Sequence, residues 1–102
     1  MIHSIIKNNL VEIKALLNQN KVKRAYAFGS VCTDKFNEQS DIDLLISFQD
    51  GMEPIERGEN WWVLLYALQK LFNREVDLIT EETLKNPYFI KSINERKELI
   101  YG

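Results

Sequence analysis

The chain predicts an α/β (α+β) domain in which a small mixed β-sheet carries helices packed against it. Three observations carry this. Short stretches at 22–28, 41–48 and 75–79 alternate between two faces, as strands do. Apolar residues at 2–17 and 61–72 recur every three to four positions, as on one side of a helix. The two patterns take turns along the chain, which is the arrangement of helices on a sheet.

The 102 residues suit one domain, spanning residues 1–102, and roughly 65% of the unfolded surface of such a chain is buried on folding. No linker, repeat or low-complexity tract divides it. The formal net charge of −2 argues against strong nucleic-acid binding, whose mark is a basic face. Cys32 is the one cysteine, so no internal disulfide framework exists. No signal-type leader and no apolar run of membrane-spanning length is present, which sets the expectation of a cytoplasmic protein away from the membrane.

Ile2, Ile5, Ile6, Leu10, Ile13, Leu16 and Leu17 define a first helix of about four turns, closing at Asn18-Gln19-Asn20. His3 lies in it with no second histidine to pair with, and its expected role is surface or packing. Val22 to Phe28 is a strand, with Val22, Arg24, Tyr26 and Phe28 on one side. Gly29 ends it, and Ser30 is placed to cap a short helix running to Phe36. Asn37 to Ser40 is a loop.

Asp41 to Phe48 is the second strand, with Ile42, Leu44, Ile46 and Phe48 on one face and Asp41, Asp43, Leu45 and Ser47 on the other. Gln49 to Gly58, with two glycines and a proline, reads as a loop. A second long helix opens at Glu59 or Asn60 and runs to Phe72. Of Trp61 and Trp62 one belongs in the core, and an exposed one would face a partner. After a turn at Asn73-Arg74, Glu75 to Ile79 is a third strand. Thr80 to Thr83 resembles a helix start with early acids, Asn86-Pro87 starts a further helix, and Glu98 to Tyr101 is a last strand or a docked tail.

Chemistry concentrates in Gly29-Ser30 and, ten residues later, Asp41-x-Asp43. Side chains two apart on a strand point the same way, so the two carboxylates stand side by side. They repel unless a cation lies between them, and a hard all-oxygen site suits magnesium. A Gly-Ser turn leading into a helix is a phosphate cradle. Asp77 is a third acid on a strand. Together they point to metal-assisted phosphoryl or nucleotidyl transfer. Cys32 is expected to fill space behind the turn as a small apolar residue.

Gly29-Ser30, ten residues, Asp41-x-Asp43 and a later Asp77 in a short strand resemble the nucleotidyltransferase fold of the DNA polymerase β superfamily, and the brevity resembles its minimal nucleotidyltransferase (MNT) family. That resemblance implies roles. Gly29 and Ser30 would hold the β- and γ-phosphates of ATP. Asp41, Asp43 and Asp77 would coordinate two magnesium ions and carry catalysis. Many relatives place an arginine soon after the Gly-Ser pair; here Lys35 is the cation at hand, as a point charge rather than a bidentate fork. The implied partner is a small helical HEPN RNase toxin, and the implied role is an antitoxin that moves AMP onto a toxin tyrosine, as a hetero-oligomer with the toxin or as a self-complementary dimer. The alternatives are an antitoxin that neutralises by binding alone, and a nucleotidyltransferase acting on a small molecule or an RNA end.

Overall fold

A computed structural model describes residues 2–102. Its elements are α1 (Ser4–Lys7), α2 (Leu10–Gln19), β1 (Val22–Phe28), β2 (Ile42–Phe48), α3 (Pro54–Phe72), β3 (Val76–Thr80), α4 (Pro87–Arg96) and β4 (Glu98–Tyr101), with 3-10 turns at Gly29–Cys32 and Glu81–Thr83. The strands form one mixed sheet in the order β3-β2-β1-β4. β1 pairs antiparallel with β2 and β4, whereas β2 and β3 run parallel, joined by α3 as the crossover. The closing segment is therefore a true strand.

The alternation of β2 sorts the layers. Ile42, Leu44 and Ile46 are fully buried against Ile13 and Leu17 of α2 and Leu64 and Leu68 of α3. Leu45 points the other way and packs with Phe28 and with Ile93 of α4. Thus α2 and α3 cover one face, and α4 covers the other. Val22 belongs to the first face rather than to the side of Tyr26 and Phe28, because the register slips between Val22 and Arg24 and turns it over. Among the described residues, no helix is long and apolar enough to cross a membrane.

Several boundaries depart from the sequence expectation, and β2 begins at Ile42, one residue after the expected Asp41. The first helix is two helices. Asn9 Nδ2 donates to the Ile5 carbonyl at 2.8 Å, and this side-chain bond competes with the helix ladder and breaks it. The helix after Ser30 is only the turn Gly29–Cys32. Thr33 closes it with both its N–H (2.9 Å) and its hydroxyl (2.8 Å) on the Ser30 carbonyl, and Ser30 makes no side-chain cap. The second long helix begins at Pro54, so half of the expected 49–58 loop is helical. Pro54 presets the first turn, and Glu56 adds an early acid that pairs with Lys21 at 2.6 Å. The third strand is Val76–Thr80, one residue on from the expectation, and Glu81–Thr83 is a 3-10 turn rather than a longer helix.

Three smaller expectations hold. His3 lies just outside the helix rather than in it, capping α1 through Nδ1, which accepts from the Ile5 N–H at 3.0 Å, and its ring packs against Phe36 as expected. Trp61 packs at the core and donates to the Leu78 carbonyl at 3.0 Å, while Trp62 is exposed and stacks with Tyr66. Cys32 is half-buried, with its Sγ toward the Ala27 carbonyl.

The loop between the 3-10 turn and β2 is pinned from a distance. Arg74, just after the left-handed Asn73 that ends α3, donates to the carbonyls of Asn37 (3.0 Å) and Ser40 (2.8 Å), and its guanidinium lies 4.6 Å from the centre of the Phe36 ring. The loop that delivers the chain into Asp41 and β2 is thus tied to the start of β3. Arg74→Ala is expected to lower stability by about 1–2 kcal/mol, because two carbonyls are left to water and the Phe36 ring no longer has a cation over its face. Thermal denaturation of the variant beside Arg74→Lys checks this, the lysine recovering only part of the stability.

Candidate active site

The site is built by strand register. β1 delivers its last residue, Phe28, opposite Asp43 of β2, and Asp43 is in turn the direct partner of Asp77 on β3. Both acids stand at the N-terminal ends of their strands, on the face covered by α4. Ile42 and Leu44, buried on the opposite face, fix the direction of Asp43 by alternation.

Gly29 follows Phe28 with φ +73°, a left-handed conformation that glycine adopts without strain. A Cβ there would run into Asp43 Oδ2. Backbone shape and close approach to a carboxylate both require glycine at this position.

A cleft of about 290 Å³ opens here. Phe28, Gly29, Asp43 and Asp77 line its sheet side, and Phe89, Ser92, Ile93 and Arg96 of α4 form the facing wall. Half-burial, and then repulsion from Asp77 and Asp41, push the Asp43 carboxyl up to about 6 from its ordinary 3.8. A carboxylate held against its charge in this way favours any cation that can share it. A larger groove of about 450 Å³ lies elsewhere, bordered by Pro54, Trp61 and Leu78, and contains none of these acids.

The structure thus brings Gly29, Asp43 and Asp77 together on one wall. Asp41 immediately precedes β2, is exposed, and acts on Asp43 through its charge. Ser30 is the next residue after Gly29 in the 3-10 turn and does not line the cleft. Lys35 is exposed and outside the cleft, tied to its loop by a backbone bond to Thr33 Oγ1. Arg96, Ser92 and Phe89 belong to no sequence motif. Helical spacing is the signal that groups them, since 89, 92, 93 and 96 share one side of α4. Burial, followed by the Glu98 carboxylate, raises the Cys32 thiol pKa, which disfavours the thiolate.

Among the described residues, no three His, Cys, Asp or Glu side chains stand together as a ready-made metal site. The donor set still fits magnesium. That ion keeps several waters and is commonly bound through one or two carboxylates plus substrate phosphates, rather than by an all-protein cage. Asp43 and Asp77 offer such a carboxylate pair, with Asp41 beside it.

Fold and site together define a small mixed-sheet α/β domain presenting paired strand carboxylates beside a glycine turn. Residues 10–100 match the nucleotidyltransferase domain family, and the chain belongs to it. It is a nucleotidyltransferase. Two proteins of Methanocaldococcus jannaschii, each bearing the name putative protein adenylyltransferase, are similar. One is 38% identical over 88 residues (86% of this chain, 84% of the relative), the other 38% over 99 residues (96% and 95%).

Three solved structures share the fold. A putative minimal nucleotidyltransferase superposes with a TM-score of 0.72 at 24% identity, over 96% of this chain and 95% of that one. A toxin–antitoxin structure with AMP-PNP gives 0.72 at 24% identity, over 92% and 73%. A tri-AMPylated Shewanella oneidensis HEPN toxin in complex with MNT antitoxin gives 0.61 at 24%, over 94% and 71%.

Folding raises the pKa of Asp43, so the folded state holds that proton more tightly than the unfolded chain does. The metal-free protein therefore loses stability as pH climbs from about 4 towards 6. Asp43→Asn removes the penalty. At pH 7 without divalent metal it is expected to be more stable by about 1 kcal/mol, after discounting for the half of the side chain that water screens, which raises Tm by roughly 4–8 °C. In the unmodified protein, magnesium competes with the Asp43 proton. Its affinity, read by titration calorimetry, is expected to fall up to tenfold per pH unit below about 6.

Proposed function

We propose that this chain is a protein adenylyltransferase that acts as an antitoxin. It moves AMP from ATP onto a tyrosine hydroxyl of a small helical HEPN RNase toxin in the cytoplasm. The observation that carries this reading is the register pairing of Asp43 with Asp77 beside Gly29, which gathers two acids and a close-approach backbone at one cleft. The names borne by the Methanocaldococcus jannaschii relatives support the transferred group, and the toxin–antitoxin complexes that share the fold support the partner.

In this reading Asp41, Asp43 and Asp77 would hold two magnesium ions. When bound, these neutralise the acids and the triphosphate and stabilise the entering and leaving oxygens of an in-line displacement. The backbone N–H groups of Gly29 and Ser30, with the Ser30 hydroxyl, orient the β- and γ-phosphates. Lys35 adds a solvated point charge at the loop. The tyrosine oxygen attacks the α-phosphorus and forms the new P–O bond. The bond from that phosphorus to the bridging oxygen breaks, and pyrophosphate leaves with the electron pair. Asp77, the more exposed of the register-paired acids, accepts the hydroxyl proton and passes it to water. The α4 wall with Phe89 and Ile93 shields one side of the reacting centre from water.

The test supplies ATP labelled at the α-phosphorus, magnesium and the HEPN partner, and follows both label on the toxin and toxin RNase activity. Label on a tyrosine with loss of RNase activity is expected. Asp43→Ala with Asp77→Ala should reduce labelling by at least about a thousandfold, as removal of the metal-holding acids disables a displacement that depends on positioned charge. Full neutralisation by that double variant, still bound to toxin, would instead establish occlusion as the mechanism.

A further inference from the structure

We infer that Arg96 is the residue that grips the nucleotide's outer phosphates, from the α4 side of the cleft. The inference rests on the nucleotidyltransferase reading of the cleft and adds to it a triphosphate-positioning residue on an element that carries no sequence motif.

Charge gives the first reason. The cleft holds two carboxylates and must admit a polyanion, yet Arg96 is the only cationic side chain among those lining it. Magnesium offsets the acids and part of the triphosphate; the remaining negative charge needs a fixed positive group.

Geometry gives the second. No nitrogen of Arg96 forms an ion pair with Asp43, Asp77 or any other acid, and its guanidinium has no hydrogen-bond or ring partner among the described residues. By contrast, Arg24 is committed to Glu81 at 3.1 Å, and Arg74 to the 37–40 loop. Arg96 is therefore a bidentate donor facing the cleft with its full donor capacity free. It lines the cleft from α4, across from the sheet side that carries Asp43 and Asp77, so the charge open to it is that of phosphates held between the two walls.

The third reason is what the other candidates lack. Lys35 stands outside the cleft, so the loop after Gly29-Ser30 adds solvated charge but no cation on the cleft wall. Arg96 reaches the same site from the opposite side. Ser92, one turn earlier on the same side of α4, adds a hydroxyl to the same wall. Negative charge builds on the departing pyrophosphate as the bond breaks, so a guanidinium here assists departure as well as binding.

The test measures binding to the full chain at fixed magnesium by titration calorimetry, with ATP, AMP and inorganic tripolyphosphate as ligands, alongside toxin labelling. Arg96→Ala is expected to weaken ATP and tripolyphosphate on the order of tenfold to a hundredfold and AMP by less than about twofold. Arg96→Lys should regain part of the ATP affinity. Unchanged circular dichroism and Tm would show that α4 still folds, as expected for an exposed last helical residue without internal partners. Equal ATP and tripolyphosphate affinity in the native protein and Arg96→Ala overturns the assignment, as does an equal loss for AMP. If tripolyphosphate binding depends on Arg96 while no label reaches the toxin, the anion grip stands and the adenylyltransferase reading fails.

Discussion

The register of three strands is the constraint on which the rest depends. Phe28 faces Asp43, and Asp43 faces Asp77. Those two pairings turn three distant points of the chain into one wall. They are enforced less at the acids than behind them. Ile42, Leu44 and Ile46 are sunk in the core, each worth about 1.5–3 kcal/mol of burial, and their alternation leaves Asp43 a single direction to point. A slip of one residue would bury Asp43 and expose these three side chains, so the hydrophobic core holds the chemical face in register.

The two layers of helix serve different ends. α2 and α3 supply the large apolar cluster that stabilises the sheet. α4 rests on a much smaller cluster of Phe28, Leu45 and Ile93, and its remaining surface borders the cleft. Stability is thus concentrated on one side, and the other is left free to carry like charges close together. The raised pKa of Asp43 is the cost of that arrangement in the absence of a cation. The large cluster behind β2 offsets it.

Much of this is legible in the sequence because the decisive signals are local. Alternation marks β1, β2 and β3 to within one residue, and the Gly29-Ser30 and Asp41-x-Asp43 pattern marks the acid wall and its family. Misreadings arise where a side chain competes with the backbone or where context overrides propensity. Asn9 breaks a helix that apolar spacing alone continues, and Thr33 stops one that Ser30 is placed to start. Gly58 argues for a loop, yet it sits exposed inside α3, where its cost of about 1 kcal/mol is outweighed by the packing of the long helix around it. The bulge that turns Val22 inward leaves no mark in a two-residue period. Arg96 is illegible for a different reason. Helical spacing groups it with Phe89, Ser92 and Ile93, but it lines the cleft of the acids only because α4 crosses the far face of the sheet, a tertiary arrangement that this spacing does not encode.

The pinned 33–40 loop bears on how the ten-residue interval between Gly29-Ser30 and Asp41 should be understood. The interval does not itself bring Gly29 to Asp43; the antiparallel ladder of β1 and β2 does. Loop closure entropy rises only slowly with length, so the cost of residues added at the exposed positions Glu38 and Gln39 would lie mainly in the Asn37 and Ser40 contacts they disturb. Inserted within β2, a single residue would invert the sheet face. A length that looks like part of a signature is in this respect a spacer, and the acids stay where the ladder holds them.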